Sequence, residues 1–375
     1  MSLSRPRVTH IIMSLGTGGA EESLRKLTSA TRDEFRHCVV SLGAPSYLSR
    51  QMENDGTQVF SLDVKRRGPV ALWQAWRTVQ RLPPDVLQGW MYHGNLLAAA
   101  LFKLCARRSK LVWNIRHSPQ VLADEKPSIR VSLRMARFFT PHLIIYNSHD
   151  GKAVHANMGY ARFASVVIPN GVDPERFKPS ADIRARVRSD TNGHDPAANE
   201  PKWVGLVGRF HPDKGIGHFL RAVHELRSKN LQFKALLAGP GMDAGNHELV
   251  SLLEEVGLQQ TEIDCRGSIE DTSLFLPALD VLVVASVREG MPNVLLEAMA
   301  CGVTTVATKV GDVERILTHH ERLATAGDAH DLADKIAYAL SHLGVQAEDR
   351  AHVQRHFNLV QCNAEYCATY AGLLA

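Results

Sequence analysis

Short apolar runs alternate with longer amphipathic stretches along nearly the whole chain, and that alternation predicts parallel sheets built from strand–helix–strand units. Two series of runs stand out. In the first, Val8 to Leu15, His37 to Leu42, Val59 to Val64, Asp85 to Trp90, Leu111 to Arg116, Leu143 to Asn147 and Ser165 to Ile168 read as strands. In the second they are Trp203 to Val207, Phe233 to Ala238, Glu262 to Cys265, Val281 to Ala285 and Thr304 to Ala307. Helical spacing fills the intervals, as in Pro69 to Leu82, where Pro69 suits a first turn. Between the series, Lys178 to Lys202 sustains neither period and contains Asn192-Gly193, so it reads as a linker. The pattern predicts two doubly wound α/β domains, residues 1–177 and 203–350, joined by the linker 178–202. The segment 351–375 is helical again, with Tyr366, Tyr370, Leu373 and Leu374 at helical spacing, and follows a sheet already complete. It reads as a helix laid on an existing surface, with the first domain as one available surface.

Composition narrows the class. With 375 residues, 45% hydrophobic and 22% charged, the chain has enough apolar material for two cores and is not a disordered polypeptide. The longest apolar stretch, Leu96 to Phe102, is too short to span a bilayer and ends at Lys103. Met1 to Arg7 has no apolar leader pattern, and the six cysteines form no CxxC pair, so a reduced cytoplasmic protein is expected. The net charge of +4 conceals an asymmetry: residues 1–172 carry 23 Lys and Arg against 11 Asp and Glu, and the remainder carries 20 against 28. A basic first half suits an anionic partner, either nucleic acid or an anionic membrane, and a solvated basic face with no partner is the plain alternative. Candidate contacts are Lys65-Arg66-Arg67, Arg107-Arg108 with Lys110, and Arg130, Arg134 and Arg137, the last three sharing one helical face. Aromatic residues make up only 6% of the chain and do not interleave with these charges, which speaks against nucleic acid.

The strongest chemical motif is Glu289-Gly290-Met291-Pro292-Asn293-Val294-Leu295-Leu296-Glu297-Ala298-Met299-Ala300-Cys301-Gly302. It follows a buried strand, with Pro292 where a helix would begin and Gly302 where it would end. Glu289 then lies in the strand-to-helix loop and Glu297 about one and a half turns into the helix, both beside the crevice beyond the strand's carboxyl end. Backbone N–H groups at a helix start bind phosphate, and adjacent carboxylates suit sugar or ribose hydroxyls. Two glutamates eight apart are commonplace, and a capped helix with a solvated carboxylate is the plain reading; the loop, Pro and Gly in this order favour a nucleotide-sugar site.

Three further clusters fall at predicted strand ends. Gly208-Arg209-Phe210-His211-Pro212-Asp213-Lys214-Gly215 places two cations around a tight turn before a helix, an arrangement that neutralises a diphosphate unless both cations are simply solvated. Gly16-Thr17-Gly18-Gly19-Ala20-Glu21 resembles a phosphate loop but lacks the dinucleotide spacing and its acidic partner, which disfavours NAD. His93, Arg116 with His117, and Ser148 lie at three neighbouring strand ends as acceptor-side candidates, although a single such histidine is more often a packing residue. No HExxH, Cys/His knuckle or Asp-x-Asp is present, so no metal site is expected.

In this order, Gly16 to Glu21, Ile168-Pro169-Asn170-Gly171-Val172-Asp173-Pro174-Glu175-Arg176-Phe177, Gly208 to Gly215 and Glu289 to Gly302 resemble the retaining GT-B glycosyltransferases of family 4, the glycosyl transferases group 1. The resemblance covers nearly the whole chain. It implies a GT-B fold, two Rossmann-like domains facing across a cleft, with the donor held by the second, the acceptor by the first, and a C-terminal helix crossing back. By position it implies that Arg209 and Lys214 bind the diphosphate, Glu289 the donor sugar hydroxyls and Glu297 the ribose hydroxyls. Gly290, Met291, Pro292 and Asn293 would touch the donor, Gly16, Gly18 and Gly19 would let the first domain approach it, and His117 would be the first-domain active-site histidine.

The resemblance also implies metal-independent hexosyl transfer without a protein nucleophile or resident cofactor. The co-substrate would be a nucleotide-diphospho-sugar, a UDP-sugar ahead of a GDP-sugar. The expected acceptor is a glycan or polyprenyl-type lipid-linked sugar of bacterial cell-surface polysaccharide or lipopolysaccharide synthesis, met at the inner face of the cytoplasmic membrane. A GT-B sugar-nucleotide epimerase or hydrolase, and a non-catalytic nucleotide-sugar binder, are the alternatives.

Overall fold

Each of the twelve apolar runs forms a strand in the computed structural model, which describes residues 5–16, 18–119, 125–136, 138–189, 201–344 and 346–375. The chain divides into two compact units, Met1–Asn170 with Val360–Ala375, and Gly171–Leu359. The first contains β1 (Arg7–Ile12), β2 (Arg36–Ser41), β3 (Gln58–Ser61), β4 (Val86–Trp90), β5 (Lys110–Ile115), β6 (Leu143–Tyr146) and β7 (Ser165–Val167), in the spatial order β3-β2-β1-β4-β5-β6-β7. The second contains β8 (Lys202–Val207), β9 (Phe233–Ala238), β10 (Ile263–Cys265), β11 (Val281–Val284), β12 (Thr304–Thr308) and β13 (Leu323–Ala324), in the order β10-β9-β8-β11-β12-β13. All pairings are parallel, so each unit is a Rossmann-like doubly wound sheet.

Side chains alternate across each sheet into two cores. In β2, Cys38 and Val40 pack on one face and Val39 on the other. In β11, Val281 and Val283 pack on one face while Leu282 and Val284 pack on the other, and all are buried. Burial on both faces is why these runs are continuously apolar rather than alternating.

The expected linker needs correction. The chain passes between units at Asn170/Gly171, and residues Ala181–Ser189 form a helix of the second unit. That helix is anchored by an arginine: Arg188 donates to Asp280 Oδ2 (2.7 Å) and to the Ala278 carbonyl (2.7 Å) and stacks on Trp203 (4.9 Å). An inward-facing arginine defeats the search for an apolar period. Residues 190–200 of the expected linker lie outside the described residues.

The C-terminal segment is two helices, Gln346–His356 and Leu359–Leu374, rather than one. At the break, Val172 pairs with Asn358, the Val172 N–H donating to Phe357 O (2.9 Å) and the Leu359 N–H to Val172 O (3.0 Å). The motif from Ile168 to Phe177 therefore builds the passage of the chain into the second unit. The last helix packs in the first unit, where Cys362, Tyr366 and Tyr370 join the core with Val8, Ile12 and Ile168. Among the described residues no helix is long and apolar enough to cross a membrane.

A buried polar seam crosses the first sheet. The Trp90 indole N–H donates to His10 Nδ1 (3.1 Å), His10 Nε2 lies 3.0 Å from His37 Nδ1, and His37 Nε2 lies 2.8 Å from Thr31 Oγ1. Indole only donates, so His10 accepts at Nδ1 and donates from Nε2, and His37 does the same toward Thr31. Both imidazoles are therefore neutral. Burial holds His10 well below its ordinary range and brings His37 down to about 4. Burial likewise brings His155 down to about 4. Between 6.5, the ordinary value, and about 4 the unfolded chain binds more protons than the folded one, so stability falls as pH falls through this window. The His37 shift corresponds to about 3 kcal/mol when fully expressed. The thermal midpoint is expected to be flat above about pH 6.5 and to drop toward pH 4, with a shallower drop in a His37→Gln variant. Equal slopes in the two proteins would remove His37 as the cause.

Candidate functional site

In a doubly wound sheet the ligand crevice opens where neighbouring strands send their connections to opposite faces, at the carboxyl ends. In the second unit that point is between β8 and β11. The two sequence motifs with cation and carboxylate character follow those two strands.

After β8 the chain runs through Gly208 and Arg209 into a single 3-10 turn, Pro212–Lys214, and then Gly215. Gly215 has φ of 63°, and a Cβ there would overlap the carbonyl oxygen of Ala285. Only glycine lets the helix Ile216–Ser228 start this close to the end of β11. The two loops are joined by the Val287 N–H donating to Asp213 O (2.9 Å) and by Arg288 Nε at 3.6 Å from Asp213 Oδ1. Beside them Lys214 Nζ lies 2.8 Å from Glu289 Oε2, which also accepts from Ser286 Oγ (3.3 Å). Both members are part-buried, 26% and 17% exposed. Arg209 is exposed, and among the described residues no hydrogen bond or ion pair engages its guanidinium.

Gly290, Met291 and Pro292 are buried, and Pro292 is the N-cap of the helix Asn293–Ala300, supplying no side-chain cap. Glu297, in the second turn, is half-buried and accepts from Thr272 Oγ1 (3.2 Å). Gly302, with φ of 71°, follows the helix end as the sequence predicts. Burial with Glu297 nearby pushes the Cys301 thiol up to about 12, so it offers no thiolate here.

Sequence reasoning missed the support beneath this loop. Asp312 donates its N–H to Gly290 O (3.0 Å), and Gly311 has φ of 55° with no room for a Cβ against the carbonyls of Glu289 and Gly290. Thr308 Oγ1 lies 2.5 Å from Ser286 O and 3.2 Å from Val284 O. The signal available was the pair Gly311-Asp312, separated by two residues from the end of β12, a turn at the same sheet edge.

In the first unit, Gly16 is exposed after β1, Thr17 lies outside the described residues, and Gly18 caps the helix Gly19–Ala30. His117 stands after β5 with Nε2 at 2.8 Å from Glu125 Oε1. His93 occupies the first turn of the helix Met91–Cys105, and burial lowers its pKa. Two acceptor-side candidates make extensive contacts within the unit. Arg116 donates to Ser23 Oγ (2.8 Å), Asn170 Oδ1 and Tyr366 Oη (3.3 Å) and lies over the Trp90 ring (5.6 Å), which ties four elements of this unit together. Ser148 is fully buried and caps the helix His149–His155 by accepting from the Gly151 N–H (3.0 Å).

Elsewhere in the second unit, Glu225, His330 and Asp334 could share a cation. Both carboxylates already have a cation beside them, Lys229 Nζ at 2.8 Å from Glu225 and 3.5 Å from Asp334.

Two Rossmann-like units, with paired cation and carboxylate loops at a switch point, are the architecture expected of a GT-B glycosyltransferase. Sequence profiles agree: "Glycosyltransferase Family 4" matches residues 17–176 and "Glycosyl transferases group 1" matches residues 201–342. The chain belongs to this family of group 1 glycosyltransferases. It is 34% identical over 174 residues to a D-inositol 3-phosphate glycosyltransferase of Corynebacterium jeikeium, a match covering 45% of this chain and 41% of that protein. It is 25% identical over 306 residues to the 2-deoxystreptamine glucosyltransferase of Streptomyces kanamyceticus, covering 74% of this chain and 77% of that one. The chain thus spans about two fifths of the first relative's length. Among solved structures, Anabaena HepE in complex with UDP-glucose superposes with a TM-score of 0.84 at 21% identity, over 98% of this chain and 100% of that one.

Gly311→Ala is expected to destabilise the second unit by about 1–3 kcal/mol, because the left-handed backbone and the overlap with two carbonyls must both be relieved. A denaturant titration indistinguishable from wild type would show that the loop relaxes freely.

Proposed function

We propose that this chain is a retaining, metal-independent hexosyltransferase that moves a sugar from a nucleotide-diphospho-sugar to a hydroxyl of a lipid-linked glycan of the bacterial cell surface. The observation that carries the reading is the Lys214–Glu289 pair at the β8/β11 switch point, 2.8 Å apart, with the exposed Arg209 on the loop that also carries Lys214. Lys214 and Arg209 neutralise the diphosphate. An arriving phosphate shares the Lys214 ammonium, which releases Glu289 to accept from donor sugar hydroxyls, while Glu297 accepts from the ribose. Backbone groups from Gly290 to Asn293 contact the donor.

The reaction breaks the bond from the sugar's anomeric carbon to the phosphate oxygen and forms one to the acceptor oxygen on the same face. The acceptor proton passes to the departing phosphate oxygen. No protein nucleophile is required, and catalysis rests on positioning and on stabilising the leaving diphosphate. A UDP-sugar is favoured over a GDP-sugar because HepE, with a similar fold, was solved with UDP-glucose.

Lys214→Ala and Glu289→Ala are each expected to lower kcat about 100-fold or more while leaving thermal unfolding near wild type. Near-normal transfer in either folded variant would overturn the assignment, as would complete loss in chelator that an added divalent metal restores. A thermal-shift panel of UDP-, GDP- and ADP-sugars identifies the nucleotide, since a ligand of the folded state raises the midpoint by mass action.

We also propose that the first unit rests on anionic membrane. Its residues carry 23 Lys and Arg against 12 Asp and Glu. At the carboxyl end of β3, Lys65, Arg66 and Arg67 are exposed beside Val70 (54% exposed), Leu72 (45%) and Trp73 (50%), with Arg77 stacked on Trp73 at 4.9 Å. A second copy docked symmetrically would set these cations against one another, whereas an anionic bilayer satisfies both the charges and the apolar tips. Arg130 and Arg134 add a further basic face, and Arg137 lies outside the described residues. Co-sedimentation with phosphatidylglycerol-containing vesicles is expected at low salt and is expected to fall sharply in Lys65→Glu/Arg66→Glu and in Trp73→Glu. Equal binding to neutral vesicles, or none at low ionic strength, would remove the membrane contact.

A further inference from the structure

The imidazole of His117 is held from two sides. Its Nε2 lies 2.8 Å from Oε1 of Glu125, whose side chain is only 8% exposed, while His117 is 30% exposed. A carboxylate accepts and does not donate, so Nε2 carries a proton, and in the neutral ring Nδ1 is then the acceptor. The second hold is Tyr92, whose ring meets that of His117 edge-on at 6.1 Å and 80°. Tyr92 is itself fixed from behind. His155 Nδ1 lies 2.7 Å from the Gly151 carbonyl and so donates to it, which leaves Nε2 to accept from the Tyr92 hydroxyl at 3.1 Å. Glu125, Tyr92 and His155 thus form a supporting layer around a ring that is itself partly open at the carboxyl edge of the first sheet.

We propose that Glu125 is a positioning residue that locks His117 in its Nε2–H tautomer and orientation, so that Nδ1 accepts a hydrogen bond from a hydroxyl of the bound sugar substrate. The proposal rests on the glycosyltransferase reading above and deepens it. Glu125 touches no substrate. Its effect falls on the turnover of a correctly bound complex rather than on the affinity for nucleotide sugar, which the second unit holds. Glu125→Gln keeps an acceptor oxygen for Nε2–H, whereas Glu125→Leu keeps the bulk and loses the acceptor.

The experiment combines steady-state kinetics with 15N spectra of the histidine ring. In the wild type and in Glu125→Gln, His117 is expected to show one protonated and one unprotonated ring nitrogen. In Glu125→Leu the two signals move toward an average, kcat falls about tenfold or more and the donor KM stays within about twofold. Glu125→Gln is expected to recover most of the loss. An unchanged nitrogen pattern in Glu125→Leu overturns the proposal, and so does an averaged pattern with unchanged kcat; both leave the transferase reading intact. A wild-type protein inactive toward every nucleotide sugar overturns the reading and this role together.

Discussion

The ammonium of Lys214 against the carboxylate of Glu289, 2.8 Å apart, joins the loops that follow β8 and β11, and the geometry of the second unit's crevice depends on it. The pair exists because the parallel order β8-β11 makes those loops neighbours, and because glycines at Gly215 and Gly311 let backbone approach backbone where any Cβ would intrude. A part-buried ion pair adds little net stability, since desolvation offsets most of its attraction. Its value is preorganisation. On the reading proposed above, a cation is already placed for a phosphate and a carboxylate for hydroxyls, and the ligand has only to exchange their mutual contact for its own.

The charge balance of the two units sharpens this. The second unit carries 20 Lys and Arg against 27 Asp and Glu, so its overall field opposes an anionic ligand. Beyond about 8 Å that field is screened at physiological salt. Any anion recognition there must be local, and Arg209 and Lys214 are the cations on the loop after β8. The first unit has the opposite balance, and much of its basic surface, including Lys65, Arg66 and Arg67, is exposed. Arg116 is the exception. Its guanidinium joins Ser23, Asn170 and Tyr366, which makes it the bolt between the first helix, the chain's exit toward the second unit, and the returning C-terminal helix.

Interior strands were legible because burial on both faces leaves a continuous apolar signature, as in Val281 to Val284. The two-residue β13 was not, since Leu323–Ala324 is too short to carry any period. The helix Ala181–Ser189 escaped because its anchor is Arg188, whose contacts with Asp280 and Trp203 are long-range and polar. The break at Phe357 and Asn358 escaped because its cause is a pairing partner at Val172, far away along the chain. At the candidate site, the positions of Arg209, Lys214, Glu289 and Glu297 beside strand ends were legible. Gly311, Asp312 and Glu125 were not, since their importance lies in what they support.

The strand series, the two-unit organisation, the basic and acidic halves and the residues with phosphate and hydroxyl chemistry all follow from local pattern, because periodicity and composition act over a few neighbouring residues. Folding added the pairings. It joined Lys214 to Glu289, gave Arg116 and Ser148 to the scaffold, set Glu125 behind His117 and returned the last helix to the first unit. Such contacts depend on which strands lie side by side and on which backbone atoms meet there, and a linear pattern of apolar and polar positions carries no record of that adjacency.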